Sequence, residues 1–273
     1  MRFRLAAVSA VACALAALLC AGQALAAAEV HRLNLVFSGI PTQVQGGDFN
    51  DALDTYNARI LQPRGYQTMD HVQFTWAYDA ELRYFVRPSF ALTAGITQLR
   101  ASQDQHFLPA ITQSVNVSAE ILTVPVHIGA MYYLQAYNQG DFQARAYLGG
   151  GLMQYTYTRA TFKQALTTAD PLWTAPDTTY GKFSNYRSVI TQDGPGFYLE
   201  GGAHMFFAAR YSVIIGAIYR SGKLNNARVD RVEGSGQVVS GTSPGPVVTN
   251  SKGQPYQLDV GGLGVKMALA VGF

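Results

Sequence analysis

The chain has 273 residues, a formal net charge of +3, and 14% charged against 12% aromatic side chains. Ordinary soluble domains carry about 25% charged residues, so the composition argues against a charge-clad soluble globule, and +3 is too small for a nucleic-acid-binding surface. Sixteen Tyr and fourteen Phe, with no stretch beyond the first 26 residues apolar for long enough to form a spanning helix, point to a membrane β-barrel, whose strands distribute their hydrophobicity by alternation.

The N-terminus reads as a secretory signal. Arg2 and Arg4 precede an apolar run from Leu5 to Leu19, and Ala24-Leu25-Ala26 is a small–x–small cleavage site. The predicted organisation is a signal peptide over residues 1–26 and an outer-membrane β-barrel over 27–273. The apolar run is short for a transmembrane helix, and a lipoprotein leader would carry a small residue where Leu19 precedes Cys20. Both cysteines, Cys13 and Cys20, fall inside the leader, so the mature chain is expected to hold no disulfide, thiol nucleophile or cysteine metal site.

Eight segments then alternate with period two. A short one contains Leu33, Leu35 and Phe37. From Phe74 to Val86 one face reads Phe74, Trp76, Tyr78, Ala80, Leu82, Tyr84 and Val86, and the other Thr75, Ala77, Asp79, Glu81, Arg83 and Phe85. Phe90, Leu92, Ala94 and Ile96 follow. Leu122 to Leu134 sets aliphatic residues against Thr123, Pro125, His127, Gly129, Met131 and Tyr133. Phe142 to Leu152 sets them against Gln143, Arg145, Tyr147 and Gly149. Phe197 to Met205 opposes Tyr198, Glu200, Gly202 and His204, and Tyr211 to Tyr219 opposes Ser212, Gly216 and Arg220. The last segment alternates Val265, Met267, Leu269, Val271 and Phe273 with Gly264, Lys266, Ala268, Ala270 and Gly272.

The connections alternate in length. Arg87-Pro88-Ser89, Gln135 to Asp141 and Ala208 to Arg210 are short. Gly39 to Thr68, Ala101 to Thr112, Arg159 to Pro195 and Ser221 to Pro255 are long. This predicts an all-β fold: an eight-stranded antiparallel transmembrane β-barrel with long outer loops, both termini on the periplasmic side, and a sheet that closes because an open edge cannot survive in lipid. In the first long loop, Phe49, Ala52, Leu53, Tyr56 and Ile60 fall at helical spacing. That predicts a short helix from Asp48 to Leu61, capped at Asp48 or Asn50 and stopped at Pro63 and Gly65. The fourth loop is rich in Gly, Ser and Pro.

Glu81-Leu82-Arg83-Tyr84-Phe85, Ala146-Tyr147-Leu148-Gly149-Gly150-Gly151 and the run from Gly261 to Phe273 give the chain a resemblance to the small outer-membrane barrel proteins of the OmpA/OmpX/OmpW type, over nearly the whole mature length. The resemblance implies a bacterial outer-membrane location, contact with outer-membrane lipid and lipopolysaccharide, and recognition by the barrel assembly machinery through the final strand, with Phe273, Val271 and Leu269 as the assembly signal. That group spans structural anchors, adhesins, proposed channels for small apolar molecules and lipid-modifying enzymes.

Local motifs offer little chemistry. Gly241-Thr242-Ser243-Pro244-Gly245 spells the nucleophile-elbow pattern, but its flanks are loop and no histidine follows Ser243. The five histidines His31, His71, His106, His127 and His204 have no second histidine at metal-ligand spacing, so neither a metal nor a cofactor is expected. Asp70, His71 and His106 lie near loops. Asn116-Val117-Ser118 is a chance glycosylation sequon. The constellation that parity singles out is a lumen polar network of Asp79, Glu81, Arg83, His127, Arg145, Glu200, His204 and Lys266. Buried charges must pair, and eight strands enclose space only for side chains, so the expected lumen is a packed polar plug. The leading expectation is a non-enzymatic scaffold displaying surface loops, for adhesion, envelope integrity or contact with a surface partner that the residues do not name. A narrow transporter of small apolar molecules and a lipid-modifying enzyme are the alternatives.

Overall fold

The computed structural model describes residues 31–110, 113–139, 142–168, 186–207, 210–234, 237–240 and 246–273. The predicted signal peptide and the Gly241–Gly245 motif lie outside the described residues. Eight strands form the barrel: β1 (Leu33–Gln43), β2 (Phe74–Arg87), β3 (Phe90–Ala110), β4 (Gln113–Tyr133), β5 (Phe142–Thr168), β6 (Gly194–Phe206), β7 (Tyr211–Ser221) and β8 (Gly262–Gly272). Each pairs antiparallel with its sequence neighbour. The ring closes where β1 pairs with β8, through Phe37 opposite Leu269 and Gly39 opposite Met267.

Alternation decides the two faces. Phe74, Trp76, Tyr78, Leu82, Tyr84, Leu92, Ile128, Leu148, Leu152, Leu199, Ile215, Val265 and Leu269 are all exposed on the outside of the ring, while their sequence neighbours point inward. A contiguous apolar surface of this kind has no place in water. Aromatic side chains stand at both ends of the belt on β2, at Trp76 and Tyr84, as in the interfacial girdles of membrane barrels.

The strands run beyond the belt at one end. β3 and β4 each have 21 residues and β5 has 27, whereas about 9–11 suffice to cross a bilayer. The expected loop from Ala101 to Thr112 is therefore mostly strand: β3 and β4 stay in register from Leu99 opposite Thr123 to Phe107 opposite Val115. The early part of the expected third loop is strand too. The physical reason is the environment. Past the lipid the outward face becomes polar (Ser102, Asp104, His106), while Ala101, Phe107, Val115, Val117, Ala119 and Ile121 keep an apolar inner face.

β5 changes partner along its length. Its lower half pairs with β6 up to Tyr155 opposite Gly194. Tyr157 adopts a positive φ of 52°. Beyond it, Arg159–Gln164 pairs with Tyr186–Thr191, which is backed by Arg228–Gly234 and then Gln237–Ser240. A second small sheet of Lys223–Asn225, Gln257–Asp259 and Gly46–Gly47 sits beside the first-loop helix.

That helix, α1, spans Asp48–Tyr56 and continues as a π turn over Asn57–Leu61 and a 3-10 turn over Gln62–Arg64. Gly47 occupies the N-cap position, and Asp48 is the first helical residue. Asp48 accepts the Gln257 backbone N–H at 2.7 Å, which ties the helix start to the small sheet. Gly65 ends the run in the left-handed region at φ 72°. Phe49, Leu53, Leu61, Met69 and Val72 are buried in one core with Leu99, Ala101, Phe107, Val115, Val117 and Ile121. The first loop thus packs onto the inner apolar face of the projecting strands.

Candidate functional site: a charged lumen under an apolar cap

Inward parity brings together residues distant in sequence. Arg83 on β2 is fully buried. Its Nε donates to Glu81 Oε1, its Nη1 to the Tyr133 hydroxyl at 2.9 Å and its Nη2 to Glu200 Oε1 at 2.9 Å. Tyr147 donates to the same Glu200 oxygen at 2.6 Å, and the Arg83 guanidinium lies 5.1 Å from the Tyr147 ring centroid. Lys266 on β8 reaches Glu200 Oε2 at 2.9 Å, Glu81 Oε2 at 3.4 Å and Asp79 Oδ2 at 3.5 Å. Asp79 Oδ1 takes Thr97 at 2.8 Å and contacts His127 Nε2 at 2.9 Å.

His204 extends the network toward the periplasmic turns. Its Nδ1 is 3.3 Å from the Tyr133 hydroxyl and its Nε2 is 2.7 Å from Ser212 Oγ. His204 and Ser212 are both buried, and the Phe206 ring stacks on the imidazole at 4.0 Å. Space for the tyrosines of this interior comes from inward-facing glycines. A Cβ on Gly129 would lie 2.4 Å from the Tyr198 hydroxyl, and one on Gly216 would lie 2.8 Å from that of Tyr147.

Seven of the eight residues singled out by parity lie in this cluster. The eighth, Arg145, does not. It is only partly buried, and its guanidinium turns to the Pro88 carbonyl and to Gln143 at the periplasmic mouth. It begins three residues inside β5, close enough to the aqueous end for a long cationic side chain to turn out toward water. Arg220 is the buried arginine that this set omits. Its inward parity was the available signal, since it alternates with Tyr219 on β7. Tyr155, Thr93 and Thr97 join it on the inner wall. Phe273 is exposed at the end of β8, and its N–H bonds to the Leu33 carbonyl at 2.8 Å. Val271 is half-buried and Leu269 faces the belt.

Asp79, Glu81 and His127 each offer a ligand atom, all within 4.8 Å of one another. The Lys266 ammonium already lies against both carboxylates and supplies positive charge there.

On the outer face a cleft of about 620 Å³ runs between α1 and β3, lined by Asp54, Asn57, Asp70, His71, Gln73 and Gln103 among others. His71 Nε2 is 2.7 Å from Asp54 Oδ1, and its Nδ1 is 3.2 Å from Gln73. Both ring nitrogens are thus engaged without a hydroxyl nucleophile. His106 contacts Asn116 at 2.7 Å and is not part of the cleft.

No family model matches the chain, and no curated protein matches it by sequence. Among solved structures, it is similar to Ail, the attachment invasion locus protein of Yersinia pestis. The likeness to Ail in complex with the heparin analogue sucrose octasulfate has 9% identity and a TM-score of 0.34, covering 89% of this chain and 98% of that one. A second Ail structure gives 10% identity and a TM-score of 0.32 over the same shares. The outer membrane protease OmpT from Escherichia coli gives 8% identity and a TM-score of 0.31, covering 93% of this chain and 99% of that one. The closed ring and the apolar belt around it carry the assignment instead: the chain is an eight-stranded outer-membrane β-barrel with buried polar side chains in its interior.

Proposed function

We propose that the protein is a non-enzymatic outer-membrane scaffold, a sealed barrel that holds a folded β-platform outside the cell for contact with a surface partner, with an envelope component or with another cell. The supporting observation is the Arg83–Glu200 ion pair at 2.9 Å, which joins opposite walls of the bore. A lumen bridged at its centre and lined by Tyr133, Tyr147 and Tyr198 supports an anchoring role over a permeation path. An ion-selective pore would more naturally present a ring of one sign. The projecting ends of β3, β4 and β5, with α1 packed against them, form the display surface. The apolar belt meets outer-membrane lipid and lipopolysaccharide, and the end of β8, with Leu269, Val271 and Phe273, is the segment for the assembly machinery. The enzyme reading draws on the His71–Asp54 pair, where the imidazole contacts Asp54 and Gln73 and, among the described residues, no hydroxyl.

The test is a pair of measurements on the refolded and the expressed protein. Planar-bilayer recordings are expected to show no steady single-channel steps, and lipid A from expressing cells is expected to keep its mass. Stable porin-like steps would replace this reading with transport, and a shifted lipid A mass would replace it with lipid modification.

A further inference from the structure

The cleft beside α1 carries chemistry that the anchoring role does not use. Its volume of about 620 Å³ falls within the roughly 300–1,000 Å³ of small-molecule sites. Three segments line it: α1 with the turns that follow it, the returning chain from Thr68 to Phe74, and β3 through Gln103.

Bonds within these walls hold the cleft in shape. Asn57 clamps the Met69 backbone at both N–H and carbonyl, each at 2.9 Å. The Gln73 carbonyl accepts the Val44 N–H at 2.7 Å, and Gln103 Nε2 donates to the His71 carbonyl at 3.4 Å. The His71 ring is fixed at both nitrogens. The tautomer that satisfies both contacts carries its proton on Nε2, donated to Asp54 at 2.7 Å, and accepts the Gln73 amide N–H at Nδ1 from 3.2 Å. A site already ordered in this way loses little further freedom when a ligand enters.

The groups left over for a ligand are mostly acceptors. Among the described residues, the second Asp54 oxygen, the Asp70 carboxylate and the Oε1 atoms of Gln73 and Gln103 make no hydrogen bond, and the Gln62 amide and Thr68 hydroxyl are uncommitted. No lysine or arginine is among the lining residues. A phosphate, sulfate or carboxylate ligand would bring acceptors alone and would meet Asp54 and Asp70 with like charge. A bare metal ion is not served either. The described residues hold one set of His and carboxylate atoms converging within 4.8 Å, at Asp79, Glu81 and His127, and Asp70 does not join Asp54 and His71 in another. Sugar hydroxyls donate as well as accept, and planar carboxylates and amides match them. Phe74, 61% exposed at the outer end of β2, adds an apolar ring to the lining.

We propose that this cleft binds an uncharged sugar of mono- or disaccharide size at the outer surface. The inference rests on the display reading and names a ligand class for it. Asp54, Asp70 and the glutamine oxygens accept the sugar hydroxyls, Gln62 and Thr68 donate, and the Phe74 ring covers the apolar face of the pyranose.

The experiment uses the refolded barrel in a zwitterionic detergent without a sugar head group. Saturation-transfer NMR is recorded with glucose, galactose, N-acetylglucosamine, lactose and maltose, and with glucose 6-phosphate and spermidine for comparison. Transfer to at least one neutral sugar is expected, and none to glucose 6-phosphate. Asp70→Ala and Phe74→Ala change exposed residues. Both are expected to keep the heat-modifiable gel mobility of the folded barrel and to weaken sugar binding severalfold. No transfer to any of the neutral sugars, equal transfer to glucose 6-phosphate, a response to spermidine alone, or binding unchanged in either variant would overturn the site. Those results leave the display reading standing, which fails instead on porin-like steps or a shifted lipid A mass.

Discussion

The Arg83 guanidinium on β2 meets the Glu200 carboxylate on β6 at 2.9 Å, although the two strands stand four places apart in a ring of eight. That contact spans the bore, so it depends on opposite walls of the barrel standing in register. Removing one partner leaves the other charge buried without its counterpart. Arg83→Met and Glu200→Gln are each expected to lower stability by about 3–5 kcal/mol. The double variant is expected to cost less than the sum of the two, as contacting residues do. Urea unfolding followed by heat-modifiable gel mobility measures this, and strict additivity would show that the pair does not act as a unit.

The register of β8 can be tested by depth. Leu269 faces lipid and is opposite Phe37, itself opposite Ala80 midway between Trp76 and Tyr84. Leu269→Arg is expected to cost about 2–4 kcal/mol in membrane folding, the range for a midplane arginine. Leu269→Met should be near neutral. Lys266, 1% exposed on the other face, behaves differently. Lys266→Met should impair insertion less than Leu269→Arg while still lowering stability, because it strands carboxylates at Glu81 and Glu200. Insertion efficiency into lipid vesicles separates the two classes.

Two asparagines clamp the first loop from within. Asn57 Nδ2 donates to the Met69 carbonyl and its Oδ1 accepts the Met69 N–H, both at 2.9 Å. Asn50 does the same for Val72, at 3.4 Å and 3.0 Å, and also bonds the Gln45 carbonyl. Asn57→Ala leaves buried backbone groups unmet and is expected to cost about 1–3 kcal/mol. Hydrogen exchange is expected to speed up at Met69 and its neighbours, with little change in β6 to β8. Exchange unchanged at Met69 would mean that the clamp does not hold the loop.

The docking of α1 should depend on its apolar face. Leu53 is 1% exposed in the core shared with the projecting strands, and Leu53→Ala is expected to cost about 2–5 kcal/mol. Tyr56 packs edge-on against Phe162, 5.1 Å between ring centroids, and its hydroxyl donates to Gln164 at 2.7 Å. Burial pushes this phenol well above its ordinary range. Tyr56→Phe keeps the ring and loses one hydrogen bond, so it should be milder than Leu53→Ala, which opens a cavity. Limited proteolysis of intact cells, read at the first loop, gives the order.

Sequence alone was enough to assign the faces. A strand has a side-chain period of two, so once Phe74 to Val86 alternates, the side of Asp79, Glu81 and Arg83 follows without knowledge of any partner. The number of strands and their closure followed from the same pattern and from the rule that lipid tolerates no open edge. The helical spacing of Phe49, Leu53, Tyr56 and Ile60 marked α1 in the same way. Tertiary structure decided height and azimuth, which a period of two does not encode. Arg145 and Arg220 share inward parity, yet one lies at the periplasmic mouth and the other is enclosed one step above the charged layer. Residues 101–110 of the expected loop belonged to a strand because hydrogen bonding across the β3–β4 ladder continues past the lipid, where an outward face of Ser102, Asp104 and His106 suits water as Leu92 and Ile96 suit the membrane. The pairing of Arg83 with Glu200 depends on opposite walls of the barrel standing in register, and no local run of residues carries that information.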